Sequence, residues 1–138
     1  MSRFVLDCSV TMAWCFDDET DVRAEDALDA LVVHDAIVPN HWPLEVANVL
    51  AIAERRQRTT AVKIAEFIEI LSTLHIDVDD QTAGRAFGDV LALARTHRLS
   101  AYDAAYLELA LRMGYPLASL DRALNEAAVR IGVALWTA

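Results

Sequence analysis

The chain has 138 residues, about one domain on the usual size prior, and is long enough to bury a substantial core. It carries 12 Lys and Arg against 21 Asp and Glu, a formal net charge of −9, with 55% hydrophobic residues, four Gly and three Pro. That excludes a disordered, collagen-like or low-complexity chain, and argues against a broad basic face for nucleic acid.

Phe4–Leu6 is a short apolar run ending at Asp7 and reads as a buried strand. Val10–Phe16 reads as helix, Asp17–Asp21 as an acidic loop, and residues 22–33 as a second helix. Ala36–Val38 is a second strand, stopped by Pro39. Pro43 suits the first turn of a helix running to about Arg58. Thr59 and Thr60 offer caps for a helix over Ala61–Leu74, and a third strand, His75–Val78, closes at Asp79 and Asp80. Thr82–His97 is predicted as one helix, and Ser100 opens another that ends near Gly114. Leu117–Leu120 is a fourth strand, Asp121 opens a helix to about Ile131, and Val133–Trp136 is a fifth strand.

Five short apolar strands alternating with helices predict an α/β fold with a doubly wound, mostly parallel sheet flanked by helices. Neither repeat nor linker interrupts it, so residues 1–138 read as a single domain. Cys8 and Cys15 read as small core residues rather than a disulfide, and no Cys/His cluster has zinc spacing. The N-terminus does not read as a signal peptide, and no stretch is long and apolar enough to span a membrane. The expected location is cytoplasmic, with no membrane partner.

Ligands of such sheets bind at the carboxyl ends of the strands. Asp7 ends the first strand and Asp121 follows the fourth. Glu45 and Asp103 lie in the first turns of helices whose N-termini return to that edge. Each acid has a plain structural explanation. Ser100 and Asp103 fit a capping box, Asp121 an N-cap, Glu45 a helix dipole, and Asp7 a turn. Helical phase weakens two of these. Glu45 shares a face with Val49 and Ile52, and Asp103 with Tyr106, Leu107 and Ala110, so both point toward the core. Glu54, Glu66, Glu69 and Glu108 read as solvated surface charge. Several carboxylates gathered in one cleft must take up a proton or a hard cation. All-oxygen ligands suit Mg²⁺ or Mn²⁺ and metal-assisted phosphate chemistry.

Four segments carry a family resemblance. They are Phe4–Val10 around Asp7 and Ser9, Val38–Asn48 with Trp42, Pro43 and Glu45, Leu99–Ala110 with Tyr102, Asp103 and Tyr106, and Leu117–Leu124 with Ser119 and Asp121. In this order and spacing the chain resembles the PIN-domain ribonucleases, and among them the VapC-type toxins of toxin–antitoxin pairs. The resemblance implies a PIN-like fold with a five-stranded sheet of order 3-2-1-4-5. It implies an Mg²⁺- or Mn²⁺-dependent endoribonuclease in which Asp7, Glu45, Asp103 and Asp121 are catalytic and bind metal, with Ser9 and Ser119 in support. It implies an RNA substrate, a VapB-type antitoxin, homodimers within a larger toxin–antitoxin assembly, and contact with DNA only through the antitoxin. Many relatives carry Lys where this chain has Ala13, so the phosphate-facing cations are unassigned. Arg55, Arg56 and Arg58 form the densest basic cluster and, with Tyr102, are candidate RNA contacts, although a helix C-terminus favours cations anyway. Trp14 and Trp42 fit apolar packing or a protein partner better than base stacking.

Three rivals remain. A phosphoacceptor receiver domain needs a Lys after its last strand, and the only Lys here is Lys63, in a mid-chain helix. The others are a PIN nuclease outside toxin–antitoxin systems and a catalytically weak PIN scaffold that binds protein.

Overall fold

The computed structural model describes residues 3–138. Strand β1 (Arg3–Leu6) leads through Asp7 into helix α1 (Cys8–Cys15), and a 3-10 turn at Asp17–Glu19 precedes α2 (Val22–Ala30). Then follow β2 (Asp35–Val38), α3 (Trp42–Arg55), α4 (Ala61–Ser72), β3 (Ile76–Val78), α5 (Thr82–Arg85), α6 (Leu91–His97), α7 (Ala101–Met113), β4 (Leu117–Ala118) and α8 (Arg122–Arg130). No described helix is long and apolar enough to cross a membrane.

Short polar side chains start the helices as their chemistry requires. Asp21 accepts from Arg23 N–H, Thr60 from Lys63 N–H, Ser100 from Asp103 N–H and Asp121 from Leu124 N–H. Pro43 sits in the first turn of α3, where a missing N–H costs no intrahelical bond. Gly114 ends α7 in the left-handed conformation, with φ of 71°.

The sheet is parallel with order β3-β2-β1-β4. Phe4 lies opposite Ala36 on one side of β1, and Val5 opposite Leu117 on the other. Phe4, Val5 and Leu6 are fully buried, as the central strand of a covered parallel sheet should be. Helix α7 packs against β1 and β4, and α1 against α2 and α3. Every strand therefore delivers its carboxyl end to one edge, and the helices α1, α3, α7 and α8 begin there.

Two elements differ from the sequence expectation. The fifth strand is reduced to a single parallel bridge between Leu117 and Leu135, held by Leu117 N–H to Ala134 O and Trp136 N–H to Leu117 O. It occupies the expected place beside β4, but only one residue pair is in register. The helix expected over Thr82–His97 is broken by a wide turn at Ala86–Val90, where Gly88 takes φ −101° and ψ −105°. Glycine tolerates that excursion because it has no Cβ.

Candidate active site

Asp7 is the residue immediately after β1, and its N–H bonds Ala118 O at 3.0 Å, which sets it beside the end of β4. It occupies the N-cap position of α1, yet its side chain caps no backbone N–H. Oδ2 instead accepts two hydroxyls, from Ser9 at 2.6 Å and Ser119 at 2.8 Å. Each serine is itself held by the β4–α8 turn. Ser9 Oγ accepts from Leu120 N–H and Ser119 Oγ from Asp121 N–H. The turn explanation for Asp7 therefore fails, and Ser9 and Ser119 are the two residues whose side chains hydrogen-bond its carboxylate. Oδ1 accepts no hydrogen bond from the described residues.

Glu45 comes from the first turn of α3. Its Oε1 accepts the Tyr106 hydroxyl of α7 at 2.5 Å, and His41 Nε2 lies 3.0 Å away, out of line for a hydrogen bond. Asp103 lies in the first turn of α7, its backbone capped by Ser100 Oγ. Asp121 caps α8 through Oδ1, which leaves Oδ2 without a protein partner among the described residues. Its structural explanation is correct and still leaves an oxygen to spare.

The electrostatics bring the four acids together. Asp7 is only 4% exposed, and burial pushes its carboxyl up to about 6. The two serine hydroxyls oppose that rise, and the charges of Asp103 and Glu45 reinforce it. Burial also raises Asp103, helped by Asp121 and Glu45 and opposed by Ser100 and His41. Glu45 and Asp103 thus act on Asp7, and Glu45 and Asp121 on Asp103, as like charges at short range must. Burial drives the Tyr106 and Cys8 protons to be held more tightly too, and Asp7 and Glu45 add to both effects. Tyr106 therefore stays a donor to Glu45.

A cation that binds oxygen fits this donor set, and nitrogen and sulfur metals do not. Among the described residues, no group of three or more His, Cys, Asp or Glu side chains is placed to hold a metal ion. Mg²⁺ does not need one, since it commonly takes one or two carboxylates and keeps several waters.

The family profile described as PIN domain matches residues 4–130. The chain belongs to the PIN-domain family. This PIN domain is 30% identical over 125 residues to the ribonuclease VapC3 of Pyrobaculum aerophilum, covering 90% of this chain and 93% of that protein, which makes it VapC-type. Its fold is that of PAE2754 from P. aerophilum, with a TM-score of 0.67 at 20% identity, covering 91% of this chain and 86% of that one. FitAcB from Neisseria gonorrhoeae shares it with a TM-score of 0.58 at 19% identity, covering 97% and 96%.

Other sequence expectations fall differently on this PIN domain. Glu108 is not surface charge: it is 4% exposed and bonded to Arg112, which also grips Asp79 at 2.7 Å. Asp79 reaches the same carboxyl edge, after β3. Burial raises its carboxyl, but the Arg112 hydrogen bonds and charge overcome that and hold it below the usual carboxylate range. Asp79 is thereby spoken for. Arg55, Arg56 and Arg58 lie at or beyond the C-terminal end of α3, about 15 Å along the helix from Glu45. Arg58 pairs with Asp18 and Glu19 and stacks 4.3 Å from the Phe16 ring centre. Trp14 is half-buried with its N–H on Ala24 O, and Trp42 is buried, so both pack as expected. Tyr102 is 64% exposed beside Asp103. His41 escaped the sequence reading. Its one signal there is the four-residue step to Glu45, which helical geometry turns into contact.

Proposed function

We propose that this protein is a metal-dependent endoribonuclease and the toxin of a VapBC-type pair. The observation that carries the reading is the convergence of Asp7, Glu45, Asp103 and Asp121 from four elements, with Asp7 raised to about 6 in a buried setting. Structural acids are seldom placed where their neighbours' charges raise the cost of ionising them, as at Asp7 and Asp103. The relative named as a ribonuclease supports RNA as the substrate.

Mg²⁺ or Mn²⁺ bound here supplies positive charge against the phosphate and lowers the pKa of water. Asp7 Oδ1 and Asp121 Oδ2, on adjacent strand ends, would hold it. Glu45 and Asp103 would orient the ion's water shell and the attacking water. The chain's own part is preorganisation. Ser9 and Ser119 fix the Asp7 rotamer, Tyr106 fixes Glu45, and the α7 cap fixes Asp103. A metal held there would also offset the acidic net charge by supplying positive charge where phosphate must sit.

The antitoxin partner follows from the VapC-type assignment. A groove of about 590 Å³ lined by Trp14, Phe16, Phe67 and Ile70, with Asp17, Asp18 and Glu66 among Arg58 and Lys63, offers a partner segment an apolar surface bearing charges of both signs. Asp103→Asn tests the enzyme reading. It should abolish Mn²⁺-dependent RNA cleavage with the far-UV circular dichroism unchanged, and full activity in the variant would overturn it.

A further inference from the structure

The basic cluster most conspicuous in the sequence begins at the end of α3 that lies away from Glu45. Of the arginines, Arg3, Arg23, Arg58, Arg112 and Arg122 are in ion pairs. Arg85 bonds Gln81, Arg55 and Arg56 stand at the far end of α3 from Glu45, and Arg130 at the far end of α8 from Asp121. Arg95 and Arg98 are different. Both are exposed, and neither makes an ion pair or side-chain hydrogen bond among the described residues. Arg95 is in the last turn of α6. Arg98 lies two residues before Ser100, the cap of α7, so its Cα is within about 8 Å of that cap. This is the corner from which Asp103 enters the acid site.

The backbone at Arg98 is informative. Its φ of 55° and ψ of 44° are left-handed, and Leu99 N–H bonds Ala94 O at 3.0 Å to close the end of α6. Such a helix end favours glycine, because any Cβ is strained there. The chain does use glycine at its other left-handed positions, Gly114 and Gly132, with Gln57 the one further exception. Arg98 thus carries left-handed strain with its side chain exposed at the corner that leads into α7. Strained positions of this kind concentrate where a side chain has a task. Four residues on, Tyr102 stands exposed, its ring 5.5 Å from that of His41. His41 in turn sits edge-on to Tyr106, with ring centres 5.4 Å apart. Tyr102 is thereby braced from below and open above.

We infer that the α6–α7 corner is the RNA-positioning ledge of the site: Arg98 and Arg95 hold backbone phosphates, and Tyr102, backed by His41, stacks on an unpaired base beside the cleaved bond. This rests on the endoribonuclease reading and assigns its substrate contacts to particular side chains. Arginine suits the phosphates because its planar fork bonds two oxygens at once. Tyrosine stacking needs a base out of its duplex, so the ledge selects single-stranded RNA.

The test is fluorescence anisotropy with a fluorescein-labelled single-stranded RNA of roughly 12 nucleotides, within the span such sites cover. It is run in Mg²⁺ on the Asp7→Asn protein, with a hairpin of the same composition alongside. Arg98→Gly should raise the melting temperature by a few degrees, since it relieves the left-handed strain. The same variant should weaken RNA binding and lower the slope of log Kd against log salt by about 0.7. Tyr102→Ala should cost about fivefold or more on the single strand and little on the hairpin stem, with Tyr102→Phe restoring it. Arg55→Ala and Arg56→Ala should bind as the parent does. Superimposable binding by parent and Arg98→Gly, or an equal loss in Arg55→Ala, overturns the ledge alone. Protein with Asp7 intact that neither binds nor cleaves the same RNA in Mn²⁺ overturns the nuclease reading and the ledge with it.

Discussion

Replacing Asp7 by Asn should stop catalysis and make the protein more stable. The carboxyl binds its proton at about 6 in the fold against 3.8 in the unfolded chain. Between those values the folded state holds more protons than the unfolded one, so stability falls as pH rises. The penalty is absent below about 3.8, grows up to about 6, and is constant above. The difference amounts to about 3 kcal/mol at neutral pH and beyond. An Asn carbonyl can still accept the Ser9 and Ser119 hydroxyls, somewhat more weakly than a carboxylate. The net gain expected at pH 8, in chelator, is therefore about 1–3 kcal/mol, or about 3–9 °C in melting temperature. At pH 5 the gain should be roughly half as large, and at pH 4 close to zero. Calorimetry across that range reads it directly. An Asn variant less stable than the parent at pH 8, or a difference that ignores pH, would refute the buried, crowded carboxylate.

Three further outcomes follow from the same geometry. Saturating Mg²⁺ at about 100 times its Kd should stabilise the parent by about 2.7 kcal/mol and the Asp7→Asn protein by far less, as thermal melts with and without chelator will show. Arg112→Met leaves Asp79 and Glu108 as buried charges without a partner, so denaturant titration should find a loss of about 3–5 kcal/mol. Tyr106→Phe removes the hydroxyl that anchors Glu45, a hydrogen bond to a charged group worth about 1.5–3 kcal/mol. Its cleavage kcat should fall about tenfold or more while the fold persists, measured by single-turnover kinetics.

The alternation of short apolar runs with capped helices made the sheet and its active edge legible, because β1, β2 and β4 are buried on both faces and leave no competing pattern. Asp7 and Asp121 could be placed from strand ends alone. Glu45 and Asp103 needed helical phase as well, and their half-buried inward positions agree with it. Phase failed at Glu108 because α7 is buried on every side from Ala104 to Ala110, so no face of it is a solvent face. Its partners explain the burial: Arg112 is one turn away, but Asp79 is distant in sequence and gave no local sign. The partners of Arg58 gave no local sign either, since Asp18 and Glu19 reach it from another segment. The break at Gly88 interrupts a pattern whose apolar spacing runs on through it. The fifth strand shrank to one bridge because only Leu135 comes into register with β4.

The central claim is that the four carboxylates form one metal-dependent hydrolytic site. It is tested most directly by following cleavage of a labelled single-stranded RNA while Mn²⁺ is titrated into the metal-stripped protein, the Asp7→Asn protein and the Asp103→Asn protein. Saturable, chelator-reversible cleavage by the parent and at least a thousandfold less by either variant is the predicted result. Cleavage that persists in chelator, or that survives in both folded variants, would contradict it.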